Sequence, residues 1–112
     1  MDCIFCDIVK KTKPSHIIYE DEKVLAFKDL NPRAPIHVLV TPKKHITSAN
    51  ELKEHDKDLI GHIFLKIAEI ADKLGCKSGY KILNNCGKDG GQTVPHIHFH
   101  ILAGRSLDQF PC

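Results

Sequence analysis

The sequence contains no apolar stretch that approaches the roughly 20 residues of a membrane-spanning helix. Its first residues lack the basic flank and apolar run that mark a secretory signal. Charge of one sign is not in excess either, because 16 basic and 14 acidic residues leave a formal net charge of +2. These absences predict a protein that binds neither membranes nor long nucleic acid and is not exported.

Internal repeats and low-complexity tracts are also absent from the 112 residues, of which 42% are apolar and 27% charged. This length and balance predict one globular domain, residues 1–112. Without an export signal, we expect a cytoplasmic protein whose cysteines are reduced thiols. The five cysteines are Cys3, Cys6, Cys76, Cys86 and Cys112.

We predict an α+β fold, with a five-stranded antiparallel sheet covered by one long helix and with a short N-terminal helix. β-rich runs at 17–19 and 24–27 flank a polar turn and predict a hairpin. Apolar residues recur at intervals of three and four from Leu59 to Leu74, which predicts the long helix. Two alternative N-terminal caps are predicted for this helix, a capping box at 48–51 or Asp56. The third and fourth strands are predicted at 36–40 and 80–83.

Three histidines, His96, His98 and His100, alternate with apolar residues within the segment 94–102. In an extended chain, successive side chains point to opposite faces, so this pattern predicts a strand with one apolar face and one row of imidazoles. Pro95 has no amide hydrogen and therefore fits the first strand position. A single histidine on a strand is usually structural, but three in strict alternation favour a chemical role.

The spacing of this row limits what it can bind. Neighbouring imidazoles would lie roughly 6.6 Å apart and the outer two roughly 13 Å apart, too far for one zinc ion with bonds of about 2 Å. A phosphate lying over the row could meet two of the rings, one acting as nucleophile and the other as proton donor. The row therefore favours phosphate chemistry over a three-histidine metal site.

A glycine-bearing loop at 87–93 leads directly into the histidine segment. It matches neither the P-loop nor the G-x-G-x-x-G pattern, so neither large nucleotide-binding fold is indicated. Gly90 and Gly91 nevertheless permit close approach of the main chain, whose amides could hold a phosphate together with the Thr93 hydroxyl. A flexible hairpin connection is the structural alternative.

Two further features allow more than one interpretation. Cys3 and Cys6 form a C-x-x-C that could supply half of a zinc site, with histidines completing it, or could be two small apolar residues on a short helix. Asp29 ends the second strand, where it could cap the turn at Asn31-Pro32 or accept the hydroxyls of a ribose. For Asp29, the residues alone favour the turn cap.

The run GGQTVPHIHFHIL at 90–102, with PKKH at 42–45 and FKD at 27–29, resembles the histidine triad family of nucleotide-binding proteins. The likeness extends over nearly the whole chain. The segment Ala103-Gly104-Arg105 after the histidines is similar to the small, dimeric purine nucleoside phosphoramidase branch. Uridylyltransferase relatives carry glutamine at the position of His100, so the resemblance implies hydrolysis instead of transfer to a second phosphate.

The resemblance implies roles for individual residues. His98 would attack the α-phosphorus of a nucleoside 5′-phosphoramidate or related mixed anhydride, and water would release the nucleoside monophosphate from the resulting nucleotidyl-histidine. His100 would contact the phosphate and leaving group, and the carbonyl of His96 would fix the tautomer of His98. Asp29 would bind the ribose. The remaining nucleotide-binding residues would be Phe5, Ile8, Phe27, Leu30, Asn85, Gly91, Gln92 and Thr93.

Relatives that begin with Cys-x-x-Cys bind zinc, which implies a structural Zn²⁺ site formed by Cys3, Cys6, His45 and His96. The resemblance also implies a homodimer. Two other functions remain open at this stage. One is a diadenosine polyphosphate hydrolase, and the other is a zinc-stabilised nucleotide-binding or interaction module without turnover.

Overall fold

A computed structural model describes residues 3–108 of the chain. It contains two α-helices, five strands and two short 3₁₀ helices. Their bounds are α1 Ile4–Val9, β1 Ile17–Glu20, β2 Val24–Lys28, β3 Ile36–Pro42, the 3₁₀ helices Ala49–Glu51 and Glu54–Asp56, α2 Lys57–Lys73, β4 Lys81–Leu83 and β5 Phe99–Ala103. None of the helices in this part of the chain has the length and apolar character needed to span a bilayer.

The five strands form one sheet in the order β1-β2-β3-β5-β4, and every neighbouring pair is antiparallel. The sheet therefore combines the predicted hairpin β1-β2 with β5 inserted between β3 and β4. The long helix and the short N-terminal helix are both present. The predicted α+β architecture is confirmed.

Helix α2 packs on one face of the sheet and forms the main core. Its residues Ile63 and Ile67 are fully buried and meet alternating side chains of the central strands, such as Val40 and Ile101. The helix ends at Lys73, and Gly75 follows with φ of 78°, a left-handed conformation that glycine adopts without strain. The apolar stripe predicted this helix and its end correctly.

Neither Ser48 nor Asp56 caps the helix that follows it with its side chain. Ser48 precedes the first 3₁₀ helix and Asp56 precedes α2, and neither side chain bonds to its own helix. The Asp56 carboxylate instead accepts the amide of Lys53 at 3.0 Å and the ammonium of Lys44 at 2.8 Å. Asp56 thus closes the preceding turn and anchors the segment after β3.

The opposite face of the sheet carries the second layer. Leu25, Phe27 and Leu39 form a smaller apolar cluster with Phe5 and Ile8 of α1. Because α1 covers only part of this face, a cavity remains over the end of the sheet where β3 and β5 lie side by side. Leu39 pairs with His100 across these strands, so the histidine faces this cavity.

The strand that carries the histidines is shorter than the sequence predicted. β5 begins at Phe99, so Pro95 is not its first residue, and His96 and His98 precede the strand. The alternation itself persists, because Ile97 is buried in the helix-side core while His98 lines the cavity on the other face.

Side-chain hydrogen bonds explain the late start of β5. The hydroxyl of Thr41 donates to the carbonyl of Ile97 at 2.8 Å, and the amide of Asn84 donates to the carbonyl of His98 at 2.8 Å. The amide of Ile97 donates to the carbonyl of Ile46 at 2.7 Å. These polar groups are satisfied without a strand ladder, so the segment before Phe99 remains extended but outside the sheet.

Candidate active site

His98 is held in one tautomer by the main chain. Its Nδ1 lies 2.7 Å from the carbonyl oxygen of His96, and because a carbonyl can only accept, Nδ1 carries the proton. The Nε2 lone pair is therefore available for bonding. The ring is 5% exposed and meets the edge of Phe5 at a centroid distance of 4.9 Å. Burial lowers the pKa of His98, which keeps the ring neutral and nucleophilic.

His37 is a fourth histidine of this site, and the sequence analysis assigned it no role. The amide of Arg33 donates to its Nδ1 at 3.1 Å, so the proton of the neutral ring lies on Nε2. That Nε2–H donates to Nδ1 of His100 at 2.8 Å. Because Nδ1 of His100 accepts this hydrogen bond, the proton of the neutral His100 ring lies on Nε2.

The electrostatics of this pair follow from its burial. The pKa of His100 is lowered to about 4, first by burial and then by the neighbouring rings of His98 and His37. Burial also lowers the pKa of His37, although the carboxylate of Asp29 opposes this. Both rings are therefore neutral in the free protein near pH 7, and the hydrogen bond between them has a defined direction.

The carboxylate of Asp29 forms the predicted turn cap and also faces the cavity. One carboxylate oxygen accepts the amide of Asn31 at 2.8 Å, which is the predicted turn cap. The other oxygen lies 3.4 Å from Nε2 of His37 and belongs to the cavity lining. Because the cap uses one oxygen only, the second remains free to accept from a ligand.

The cavity has a volume of about 310 Å³. Phe5, Ile8 and Phe27 form apolar walls, while Leu30 lies at the rim and is 82% exposed. The polar lining comes from side chains near the histidines and from the segment before β1. These residues are Lys13, Ser15, Lys28, Asp29, Asn31, Arg33, His37, Thr93, His98 and His100.

Of the predicted loop residues, only Thr93 lines this cavity. The side chain of Gln92 instead braces the loop, accepting the amide of Gly87 at 2.8 Å and donating to the carbonyls of Thr47 and Val94 at 2.7 and 2.9 Å. Asn85 likewise donates to the carbonyl of Gly90 at 2.7 Å. These side chains shape the loop.

The loop also contains tight main-chain contacts. A Cβ at Gly90 would lie 2.3 Å from the carbonyl oxygen of Cys86, so only glycine fits there. Gly91 has φ of 79°, which glycine adopts without strain. The Gly90-Gly91 pair thus sets the path by which the loop reaches the histidines.

Cys3, Cys6, His45 and His96 meet beneath α1, with their ligand atoms within 4.8 Å of one another. Nδ1 of His45 lies 3.2 Å from Sγ of Cys6, and Nδ1 of His96 lies 3.5 and 3.6 Å from Sγ of Cys3 and of Cys6. Nε2 of His96 donates to the carbonyl of Pro42 at 2.8 Å, so its Nδ1 lone pair points to the thiols. Two sulfur and two imidazole ligands form a closed donor set that fits zinc.

Asp29, His37 and His100 also bring three ligand atoms within 4.8 Å of one another. Metal binding at Nε2 of His37 would move that ring's proton to Nδ1, where the amide of Arg33 already donates. This second group is therefore a hydrogen-bond relay.

The sheet, the two helices and the row of histidines beside a cavity define a histidine triad protein. The model of the HIT domain matches residues 10–107, and the chain belongs to the HIT family. An uncharacterized HIT-like protein of Synechocystis sp. is 45% identical over 110 residues, which is 98% of this chain and 96% of that protein.

Solved structures of similar proteins have the same fold. A HIT family hydrolase from Legionella pneumophila superposes with a TM-score of 0.96 at 38% identity, covering 99% of this chain and 100% of that one. A histidine triad protein from Clostridium difficile gives a TM-score of 0.94 at 49% identity, covering 99% of this chain and 97% of that one.

Proposed function

We propose that the protein is a hydrolase that cleaves nucleoside 5′-phosphoramidates or related nucleotidyl conjugates to nucleoside monophosphates. The observation that carries the proposal is the hydrogen bond from Nδ1–H of His98 to the carbonyl of His96, which leaves Nε2 free on a ring that lines the cavity. A neutral imidazole with a fixed tautomer is an effective nucleophile toward phosphorus. The similarity to a HIT family hydrolase supports the reaction class.

In the first step, Nε2 of His98 attacks the α-phosphorus and the P–N bond breaks, with its electron pair remaining on nitrogen. The leaving nitrogen takes up one proton and departs as an amine. In this proposal the His37–His100 pair takes up one proton when the substrate binds, because the negative charge of a bound phosphate raises the pKa of a neighbouring imidazole, and Nε2 of His100 gives that charge-balancing proton to the leaving nitrogen. His37 positions His100 through their 2.8 Å hydrogen bond.

In the second step, water attacks the phosphorus of the nucleotidyl-histidine and the P–N bond to His98 breaks. The proton lost by the water returns to His100, so the ring regains the proton that it gave to the amine. The product is a nucleoside monophosphate, and both histidines return to their starting protonation states.

The cavity supports a placement of the nucleotide along its length. Asp29 accepts the ribose hydroxyls with its free oxygen, and Phe5, Ile8 and Phe27 enclose the base, with Leu30 at the rim. Thr93 contacts the phosphate directly. For Asn85, Gly91 and Gln92, we propose a role in holding the loop so that main-chain amides face the phosphate.

Zn²⁺ bound by Cys3, Cys6, His45 and His96 would be structural, because the four ligands leave no open coordination position. Bound there, the metal would tie α1 to the segment that precedes β5. Cys3 and Cys6 must remain reduced to bind it as thiolates, which supports a reducing compartment such as the cytoplasm.

We further propose that the chain forms a homodimer as a single domain. β4 lies at the edge of the sheet, and large apolar side chains remain exposed nearby and on α2. Phe64, Leu65 and Ile82 are 45%, 66% and 37% exposed. Pairing of two β4 edges would cover this surface.

The proposed reaction is tested with His98→Ala and an adenosine phosphoramidate. We expect release of AMP to be abolished while AMP binding is largely retained, because the ring supplies the bond to phosphorus and only a small part of the cavity wall. His62→Gln is the matched control, since His62 bonds to Asp21 on the helix side of the molecule. A nucleotidyl adduct trapped on His98 would support the mechanism directly.

The same assay, extended to diadenosine polyphosphates, distinguishes two other functions. If the wild type cleaves diadenosine polyphosphates much faster than any phosphoramidate, it is a dinucleotide hydrolase. If it binds AMP but hydrolyses neither substrate class, it is a zinc-stabilised nucleotide-binding module.

A further inference from the structure

Ser15 carries the one side-chain polar atom that is buried without a hydrogen-bond partner among residues 3–108. Buried hydroxyls are nearly always paired, because a desolvated oxygen that bonds to nothing is costly. Ser15 also lines the cavity described above. A ligand in that cavity could supply the missing partner.

The position of Ser15 along the cavity is fixed by the sheet. The amide of Lys28 donates to the carbonyl of His16 at 3.0 Å, which ties the segment before β1 to the end of β2. Strand β1 is three strand spacings from β5, roughly 14 Å at about 4.8 Å per spacing. Ser15 is therefore at the end of the cavity remote from His98.

Asp29 lies between these two ends, directly after β2. In the proposed function, the phosphate contacts His98 and the ribose contacts Asp29, so the base extends toward Ser15. The inference rests on that placement of the nucleotide, although it does not require turnover.

We propose that the hydroxyl of Ser15 is a hydrogen-bonding contact for the edge of the nucleobase. In the free protein the oxygen is covered although the residue lines the cavity, so the proposed contact requires rotation about χ1 to bring the oxygen to the base. This rotation breaks no existing hydrogen bond, because the oxygen has no partner to lose. The base would gain a contact without competing against one inside the protein.

The chemistry of a hydroxyl determines what this contact recognises. It donates one hydrogen bond and accepts others, so it can pair with a ring nitrogen, a carbonyl or an amino group. Ser15 therefore responds to the presence of a polar base edge and does not separate adenine from guanine. A ligand that lacks the base would gain nothing from it.

The test compares ligands with and without a base. Binding of AMP, GMP and ribose 5-phosphate is measured by calorimetry for the wild type, Ser15→Ala and Ser78→Ala. Ser78 is an exposed serine between α2 and β4 and serves as the matched control. Because only monophosphates are used, absence of phosphoramidase turnover would not affect the result.

Ser15→Ala should weaken AMP and GMP by about 3- to 10-fold, the value of one hydrogen bond. Its affinity for ribose 5-phosphate should remain within about twofold of the wild type, as should all affinities of Ser78→Ala. Equal losses for all three ligands, or unchanged affinity for AMP and GMP, would overturn the assignment. Absence of nucleotide binding in the wild type would instead refute the proposed function, and this proposal with it.

The melting temperature of the ligand-free protein gives a second readout. Replacing an unpaired buried hydroxyl by hydrogen removes a desolvated polar group, so Ser15→Ala should melt at the same or a higher temperature than the wild type. A lower melting temperature together with unchanged AMP affinity would assign Ser15 a purely structural role.

Discussion

His37 donates a hydrogen bond from Nε2 to Nδ1 of His100 at 2.8 Å, across the β3-β5 pair. The amide of Arg33 fixes the direction of this bond, because it donates to Nδ1 of His37 and so leaves the ring proton on Nε2. Arg33 and His37, which are both distant from His100 in sequence, thus decide which nitrogen of His100 presents a proton to the cavity.

His37→Gln should lower kcat for phosphoramidate hydrolysis by roughly 10- to 100-fold, since a misplaced proton donor loses part of the gain from general acid catalysis. KM should change little, because His37 positions His100 and does not hold the nucleotide. Steady-state kinetics of this variant and of His62→Gln distinguish the two effects. A rise in KM with unchanged kcat would show that His37 contributes to binding instead.

Cys6→Ser should abolish high-affinity zinc binding, because hydroxyl is a much poorer zinc ligand than thiolate. Cys76→Ser is the matched control, since Cys76 lies outside the four-ligand group. Metal content after dialysis, measured by mass spectrometry, should be about one zinc per wild-type chain and none in Cys6→Ser. Anomalous scattering at the zinc edge without a peak between Cys3, Cys6, His45 and His96 would exclude the site.

Stability should fall as the pH is lowered from about 6.5 to about 4, partly because of His100. Its pKa in the folded protein is about 4, below the ordinary value of 6.5, so the unfolded chain takes up the proton first. Protonation then favours unfolding until the folded protein is protonated as well. Urea denaturation at several pH values should therefore give a shallower pH dependence for His100→Gln.

The control for this experiment is His16→Gln, since His16 is an exposed histidine directly before β1. It should leave the pH dependence of the unfolding free energy as in the wild type. Identical curves for His100→Gln and the wild type would mean that other groups, such as the zinc ligands, account for the acid sensitivity.

Leu65→Glu should convert the proposed dimer to a monomer, because a charge would replace a large apolar side chain on the exposed face of α2. Light scattering at several concentrations measures this directly. Glu54→Gln, on the 3₁₀ helix before α2, removes an exposed charge and should leave the dimer intact. A wild type that is monomeric at all concentrations would contradict the proposal.

Elements in which apolar residues recur at regular intervals could be predicted from the sequence. The stripe from Leu59 to Leu74 indicated α2, and the alternation at 96–101 indicated which side chains share a face. The first residue of β5 could not be predicted, because it depends on hydrogen bonds from Thr41 and Asn84. Such contacts between distant segments have no local signature.

The site residues were likewise predicted in part. Cys3, Cys6, His45 and His96 converge as the family resemblance implied, but His37 was missed. Its position in strand 36–40, on the same face as Leu39, was available from the alternation. The sequence does not show that β3 pairs with β5. This pairing places His37 and His100 side by side on the same face of the sheet.

His96 has separate uses for its ring and its carbonyl: Nδ1 faces the thiols, Nε2–H bonds to Pro42, and the carbonyl orients His98. An engineer who wished to replace the cysteine-histidine centre by plain apolar packing would have to keep this peptide unit where it is. Success would be judged by whether Nδ1 of His98 still donates its hydrogen bond to this carbonyl. The cysteine-histidine centre and the site around His98 therefore cannot be redesigned independently at this residue.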